Sequence, residues 1–406
     1  MENALPTMRL GVAGLGVAAR QMLPSLAAHS HVRITAAADS RSEARELFER
    51  DYGGQAFETL EALCDSPLVD AVYIATPSHL HARHCITAAQ RGKHVLVEKP
   101  MALTLRECDD MIEATNRNHV GLVVGHTHAF DAPVRKMARL IGSGEFGALG
   151  MINTWNYNDY ICRPRWPHEL HTESGGGIIY NQVPHQVDIV RLLGGGLVQS
   201  VRSMAWILDD ARPTEGSQLT FMQFESGAAA SMAFSGYDYF DSDEFHFWIG
   251  ENGEDKREKI HGSSRSALMR MQSREEELDH KKSMAYGAAA YRGSASGPAR
   301  DAWHQPHFGI TIASCAKGDL RLSGDGVIVY GREGRTEVLC DRGRAFPDRD
   351  KVADELYSAF AHGTRPALDG SWGKASLEVC LAILTSARER REVRLAHQVA
   401  MHTPLF

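Results

Sequence analysis

His94-Val95-Leu96-Val97-Glu98-Lys99-Pro100 is an apolar run that breaks off in a Glu-Lys-Pro tripeptide. Bounded by Gly92 and Pro100, it reads as a short strand with Lys99 at its carboxyl end. Pro100 cannot donate to a sheet ladder, so the backbone leaves the sheet there. Open parallel sheets bind their ligands at such strand ends. A solvated lysine is the plain alternative, and the neighbouring segments decide between the two.

Upstream, Val69 to Ala75 is a buried-strand run closing on Thr76-Pro77-Ser78-His79-Leu80-His81. A strand ending in Thr-Pro places polar groups at the ligand edge of a sheet. His79 and His81 read either as helix-capping residues or as contacts to a cofactor there. Further upstream, Met8 to Val12 runs into Ala13-Gly14-Leu15-Gly16-Val17-Ala18-Ala19, a G-x-G-x-x-A turn. Gly14 permits the tight turn, Gly16 lets backbone amides approach a pyrophosphate, and Ala19 keeps helix and strand close. A second strand, Val32 to Ala38, ends in Asp39, twenty residues beyond Ala19, where a carboxylate can accept from a ribose 2′-hydroxyl. Asp39 favours NAD, and Ser40 follows it; Arg41 leaves NADP as the alternative, because a guanidinium pairs with a 2′-phosphate. Helical segments (20–29, 42–51, 81–91, 104–118) alternate with these strands and with Val120 to Val124. The expectation is a doubly wound parallel sheet, a Rossmann domain over residues 7–126.

The whole chain has 406 residues, 43% hydrophobic and 23% charged, enough for two cores. The 44 basic and 51 acidic residues are intermixed, so neither a nucleic-acid footprint nor a membrane-surface patch is marked. A small-molecule partner is expected. The seven cysteines form no C-x-x-C pair, no metal site is signalled, and a reducing cytoplasm fits. No apolar run reaches membrane-spanning length.

Ala13-Gly-Leu-Gly16, the Ala75-Thr-Pro77-x-His79-x-His81 loop and Glu98-Lys99-Pro100, in this order, resemble the Gfo/Idh/MocA oxidoreductases. The resemblance implies a Rossmann domain followed by an α/β domain with an open, mostly antiparallel mixed sheet that often forms the subunit contact, hence a homo-oligomer. It also implies an NAD(P)-dependent dehydrogenase acting on CH–OH or CH–CH groups, with Lys99 beside nicotinamide and substrate. The cofactor would be held by Gly14, Gly16, Val17, Ala18, Asp39, Ser40, Arg41, Thr76, Pro77, His79, His81, Glu98 and Lys99.

Residues 127–406 then form the substrate-binding and oligomerisation domain. His126-Thr127-His128 stands where many family members have a Tyr and an Arg, and both histidines are substrate-binding candidates. Arg163, Arg165 and Trp166 lie in a loop whose two guanidinium groups suit a carboxylated substrate. Gly175-Gly-Gly177 precedes a helix with Asn181, His185 and Asp188 along one face. His185 and Asp188 match the family's second motif; Asn181 replaces an acidic residue, so it is expected to hydrogen-bond the substrate, leaving acid–base work to Lys99 and His185. Strands are expected at 199–207, 218–225, 228–234, 308–315 and 326–330, and closing helices at 350–362 and 371–391. Residues 252–306 read as a helix plus a long excursion, with His304 and His307 unassigned.

Arg163-Pro-Arg165, Arg212-Pro-Thr-Glu-Gly216 and Ser235-Gly-Tyr-x-x-Phe-Asp-Ser-Asp-Glu244 resemble the branch that contains phthalate 4,5-cis-dihydrodiol dehydrogenases. That implies oxidation of a carboxylated cis-dihydrodiol to a catechol, with neutral Lys99 accepting a hydroxyl proton. Two rivals stand beside it: a sugar, inositol or other polyol dehydrogenase, and a non-catalytic dinucleotide-binding regulator.

Overall fold

The structure is a computed structural model describing residues 5–125, 127–256, 261–288, 304–341 and 349–401. The chain divides into two compact units. The first holds residues 1–126 together with 279–298 and 349–374, and the second holds 127–278, 299–348 and 375–406. Two stretches that the sequence reading placed after the boundary are therefore part of the first unit.

In the first unit, strands and helices alternate: β1 (Met8–Ala13), α1 (Val17–Ala28), β2 (Val32–Ala38), α2 (Ser42–Tyr52), β3 (Gln55–Phe57), α3 (Leu60–Asp65), β4 (Ala71–Ile74), α4 (His81–Gln90), β5 (His94–Glu98), α5 (Leu105–Arg117) and β6 (Leu122–Gly125). The six strands form one parallel sheet in the order β3-β2-β1-β4-β5-β6. β4 is buried along its whole length, as a central strand covered on both faces must be. Each fully buried side chain such as Val72 or Ile74 contributes roughly 1.5–3 kcal/mol. α5 starts with a capping box: Glu107 N donates to Thr104 Oγ1 at 3.2 Å, and Thr104 N donates back to Glu107 Oε2 at 2.9 Å. Two otherwise unpaired helix amides are thereby satisfied, which fixes where the chain re-enters helix after Lys99.

The second unit opens with α6 (Ala132–Gly142) and β7 (Leu149–Tyr157), followed by α7 (Gly177–Asn181), α8 (Val183–Leu193), β8 (Val198–Trp206), β9 (Ser217–Phe224) and β10 (Ala229–Ser235). Next come α9 (Ser263–Arg270), α10 (Arg274–Ser283), β11 (Ile310–Cys315), β12 (Gly318–Leu322), β13 (Gly326–Gly331) and β14 (Gly334–Leu339), then α11 (Arg349–His362), α12 (Gly370–Glu389) and β15 (Val393–Arg394). α11 and the start of α12 are counted in the first unit. Nine strands make one mixed sheet, β14-β13-β12-β11-β7-β10-β9-β8-β15, in which only β7 and β10 pair in parallel. Along β9 buried and exposed residues alternate, as in a sheet with one covered face. The excursion expected over 252–306 contains two helices, α9 and α10; residues 257–260 and 289–303 lie outside the described residues.

Candidate active site

The first unit gathers its candidate site residues along a single sheet edge. Ala13 is in register with Ile74, Ile74 with Val97, and Val97 with Val124. The chain therefore leaves these strands side by side, at Gly14, at Ala75-Thr76 and, one residue further on, after the paired Glu98 and Gly125. Gly14 has φ +88°, and a Cβ there would lie 2.8 Å from Ala75 O, so both conformation and space demand glycine. Gly16 caps α1 without a side chain, and no heavy atom among the described residues lies within 4 Å of where its Cβ would be. The start of α1 thus has neither a capping side chain nor crowding at Gly16, which fits a pyrophosphate at a helix N-terminus. Val17 and Ala18 supply the first amides of α1.

Asp39 follows β2 and is nearly buried. Its Oδ2 accepts from Leu15 N at 2.8 Å and from Arg41 Nη2 at 3.1 Å, and its Oδ1 from Arg41 N at 2.9 Å and Arg41 Nε at 3.0 Å. A carboxylate has about four acceptor positions, and all are in use. Arg41 is thus locked onto the acidic residue it follows. Ser40 lies exposed between them.

Thr76 and Pro77 lead into α4. His81, expected as a cofactor contact, is buried, with Nδ1 2.9 Å from Pro100 O and Nε2 2.8 Å from Thr76 O. It ties the Thr76 turn to the Lys99–Pro100 turn and has neither nitrogen turned outward; burial pushes its pKa below the ordinary value. Thr76 Oγ1 is 2.9 Å from His84 Nδ1. His79 is exposed. Glu98 Oε1 accepts from Tyr73 OH at 2.6 Å, so the carboxylate is anchored to β4. Lys99 is half-buried directly after β5, and its bond to Pro100 is cis.

In the second unit, a short 3₁₀ turn over Thr127–Phe130 carries His128. His128 Nδ1 lies 2.7 Å from Asp131 Oδ2, and Nε2 lies 3.4 Å from Glu251 Oε1. Burial opposes its charge, but Asp131 and then Glu251 outweigh burial and raise the imidazole to about 9. Burial likewise opposes ionised Glu251, yet His128 and Arg163 bring it down to about 2. His128 is therefore an imidazolium at neutral pH. The His185 ring, on α8, meets it edge to face at 4.7 Å, and both pack on Phe308 at 5.0 and 4.8 Å. His126 lies outside the described residues.

The two loop arginines part company. Arg163 donates Nε to Asp159 Oδ1 at 2.7 Å, with Nη2 2.6 Å from the same oxygen, and its side chain is about 40% exposed. Arg165 is buried: its guanidinium lies 3.5 Å over the Tyr160 ring, donates from Nε and Nη2 to Tyr160 O at 3.1 and 2.5 Å, and meets Glu169 at 3.3 Å. The expectation that Arg165 clamps substrate is corrected by this geometry, because its donors are spent on its own loop. Trp166 N donates to Glu169 Oε2 at 2.6 Å, so this residue also serves the loop's shape. Asn181 Nδ2 donates to Gly175 O at 2.9 Å and Gly177 O at 2.8 Å. The amide replacing the family's carboxylate thus pins the glycine loop, which a carboxylate could not do.

Asp188 lies 3.4 Å from Ser376 Oγ, and that hydroxyl accepts from buried Arg191 at 2.8 Å. Asp131, Glu251 and Phe308 were missed as site residues. Asp131, three residues from His128, carried a spacing signal; Glu251 and Phe308 carried none. His304 and His307 serve the structure: His304 Nδ1 lies 3.1 Å from Asp325, and His307 Nε2 is 2.9 Å from Ile249 O. Among the described residues no group of three or more His, Cys, Asp or Glu is placed to hold a metal, and no helix is long and apolar enough to cross a membrane.

Residues 8–126 match the model of an oxidoreductase family with an NAD-binding Rossmann fold, and residues 134–266 match the GFO/IDH/MocA C-terminal domain. The chain belongs to the Gfo/Idh/MocA oxidoreductase family. Like the family, it is an NAD-dependent dehydrogenase, and the glycine turn, uncapped α1 N-terminus and Asp39 are the residues that fit NAD. It is 38% identical over 386 residues to the 1-carboxy-3-chloro-3,4-dihydroxycyclohexa-1,5-diene dehydrogenase of Comamonas testosteroni, covering 94% of this chain and 95% of that one. Similarity to the scyllo-inositol 2-dehydrogenase (NAD(+)) of Bacillus subtilis strain 168 is 30% over 57% of this chain and 67% of that one. A crystal structure from Bordetella bronchiseptica RB50 superposes with TM-score 0.89 at 40% identity, over 96% of this chain and all of that chain. Within this Gfo/Idh/MocA member, the residues that match the family's C-terminal domain contribute β7 to β10 of the nine-stranded sheet, which is mixed and mostly antiparallel as expected.

Proposed function

We propose that this dehydrogenase oxidises a carboxylated cis-dihydrodiol, of the phthalate 4,5-cis-dihydrodiol type, to the catechol. The observation that carries the reading is the near full-length likeness to the Comamonas enzyme, whose substrate is a carboxylated dihydroxycyclohexadiene. In the second unit, the His128 and His185 rings cross at 86° and lean on Phe308 at 44° and 47°, an aromatic cluster with polar ring edges that accords with a cyclic diol. Protonated His128 and the Nη1 side of Arg163 supply positive charge for a carboxylate.

Bound NAD supplies the hydride acceptor. The unprotonated amine of Lys99 takes the proton of the ring hydroxyl while that carbon's C–H bond breaks, and His185 orients the hydroxyl or shares its proton. The resulting ketone loses a ring proton to its own oxygen by tautomerisation and becomes aromatic. His128, with both nitrogens fixed by Asp131 and Glu251, keeps its charge through turnover and acts on the substrate through that charge.

One observation favours a second reading, oxidation of a neutral polyol. Around His128 and Arg163 stand three carboxylates, Asp131, Asp159 and Glu251, so the described charges sum to minus one and offer acceptors to hydroxyls. The purified protein with NAD, tested for NADH formation on carboxylated cis-dihydrodiols against inositols, separates the two. Turnover confined to the dihydrodiols is expected; turnover confined to inositols overturns the proposal, and tight NADH binding with no turnover of either marks a regulator.

We also infer that a second copy of the chain covers the outer face of the nine-stranded sheet. Met151 and Trp155 on β7 and Leu219 and Phe221 on β9, the strands either side of β10, are all exposed there. A monomer by light scattering would overturn this. A cytoplasmic location accords with seven free cysteines.

A further inference from the structure

Arg41 has partners beyond Asp39. Its Nη2 also donates to Leu15 O at 2.7 Å, and its Nη1 to Tyr286 O at 3.3 Å. Tyr286 lies 245 residues further along the chain, just past α10, in a stretch that belongs to the first unit. That stretch is anchored at three more points. Arg20 Nη1, in the first turn of α1, donates to Met284 O at 2.9 Å. The fully buried Tyr286 donates its hydroxyl to Asp51 Oδ2 at 3.0 Å, near the end of α2. Gly287, with φ +81°, lies so close to the start of α2 that a Cβ would be 3.1 Å from Ala44 Cα. The stretch therefore crosses from α1 to α2 at the edge where the glycine turn and Asp39 meet the adenosine end of a dinucleotide.

We propose that Met284–Gly287 is a strap over the adenosine half of the NAD site, and that the Tyr286 carbonyl, by holding Arg41 against Asp39, sets the preference for NAD over NADP. An arginine beside this position is the group that would otherwise pair with a 2′-phosphate. Three of the four bonds on Asp39 come from Arg41, so a ribose hydroxyl takes an acceptor position there by displacing one of these. The Leu15 and Tyr286 carbonyls keep the guanidinium in place when that bond is given up. For Arg41 to turn to a phosphate, all of these contacts must break together, and without the strap one of them is already gone.

The proposal rests on the dinucleotide site alone, and its test needs no substrate, so its outcome is independent of the dihydrodiol reading. NADH and NADPH are titrated by fluorescence into wild type, Tyr286→Ala, Gly287→Val and Tyr286→Ala/Arg41→Ala. The preference for NADH should fall about tenfold in either strap variant, the scale of one hydrogen bond to a charged group. The fall should vanish in the double variant. In the wild type, NADH should slow amide exchange at residues 284–288. A preference unchanged in whichever strap variants fold, a fall that persists without Arg41, or exchange at 284–288 indifferent to NADH would each overturn the proposal.

Discussion

Replacing Asp131 by Asn tests how His128 is kept charged. The imidazole rises from its ordinary 6.5 to about 9 even though burial opposes it. At about 1.36 kcal/mol per pH unit, the carboxylates favour the imidazolium by roughly 3 kcal/mol net of that burial. Asp131, at 2.7 Å, is the stronger contributor, and Glu251 stands farther off at 3.4 Å. Asn keeps the shape and a hydrogen-bond acceptor but removes the charge, so the His128 midpoint should drop below about 7. The folded-state pKa lies above the unfolded one, so this pairing stabilises the fold fully below pH 6.5 and is lost as pH rises through about 9. The destabilisation caused by Asp131→Asn should accordingly be largest near pH 6 and shrink toward pH 10. The assay is an NMR titration of the histidine Cε1 signals, with His128 assigned by its loss in His128→Gln. A wild-type midpoint at or below 6.5, or one that Asp131→Asn leaves in place, would refute the reasoning.

Gly14→Ala forces a side chain onto φ +88° and against Ala75 O, so NADH affinity by titration should fall at least about tenfold. Asn181→Asp would face two loop carbonyls with a carboxylate; thermal unfolding should show a loss of about 2 kcal/mol or more. Arg165→Met should lower the melting temperature while barely moving KM, whereas Arg163→Glu should raise KM for a carboxylated substrate; the reverse pattern would return Arg165 to the substrate.

The first unit was legible because its signals are local. The turn at Gly14 and Gly16, Asp39 at a strand end, and Lys99 before a proline each follow from a few adjacent residues, and the parallel register then brings them to one edge. The second unit's site is assembled from distant pieces. Glu251 reaches His128 from more than 120 residues away, and Phe308 from still farther, and no periodicity announces such pairs. Arg165 was misread because an arginine's burial depends on what its neighbours offer: the Tyr160 ring and Glu169, one turn away, absorb it. β14 was missed because nearly all its residues are exposed, leaving no apolar alternation to find. The grip of Tyr286 on Arg41 could not be read either, since nothing in Arg41's surroundings in sequence marks a partner so far along the chain.

The central claim is that Lys99, at the end of β5, takes the hydroxyl proton in NAD-linked oxidation. NADH formation from a carboxylated cis-dihydrodiol, compared between wild type and Lys99→Ala, tests it most directly. The account predicts that kcat falls about 100-fold or more in the variant. Turnover at the wild-type rate without that amine would contradict it.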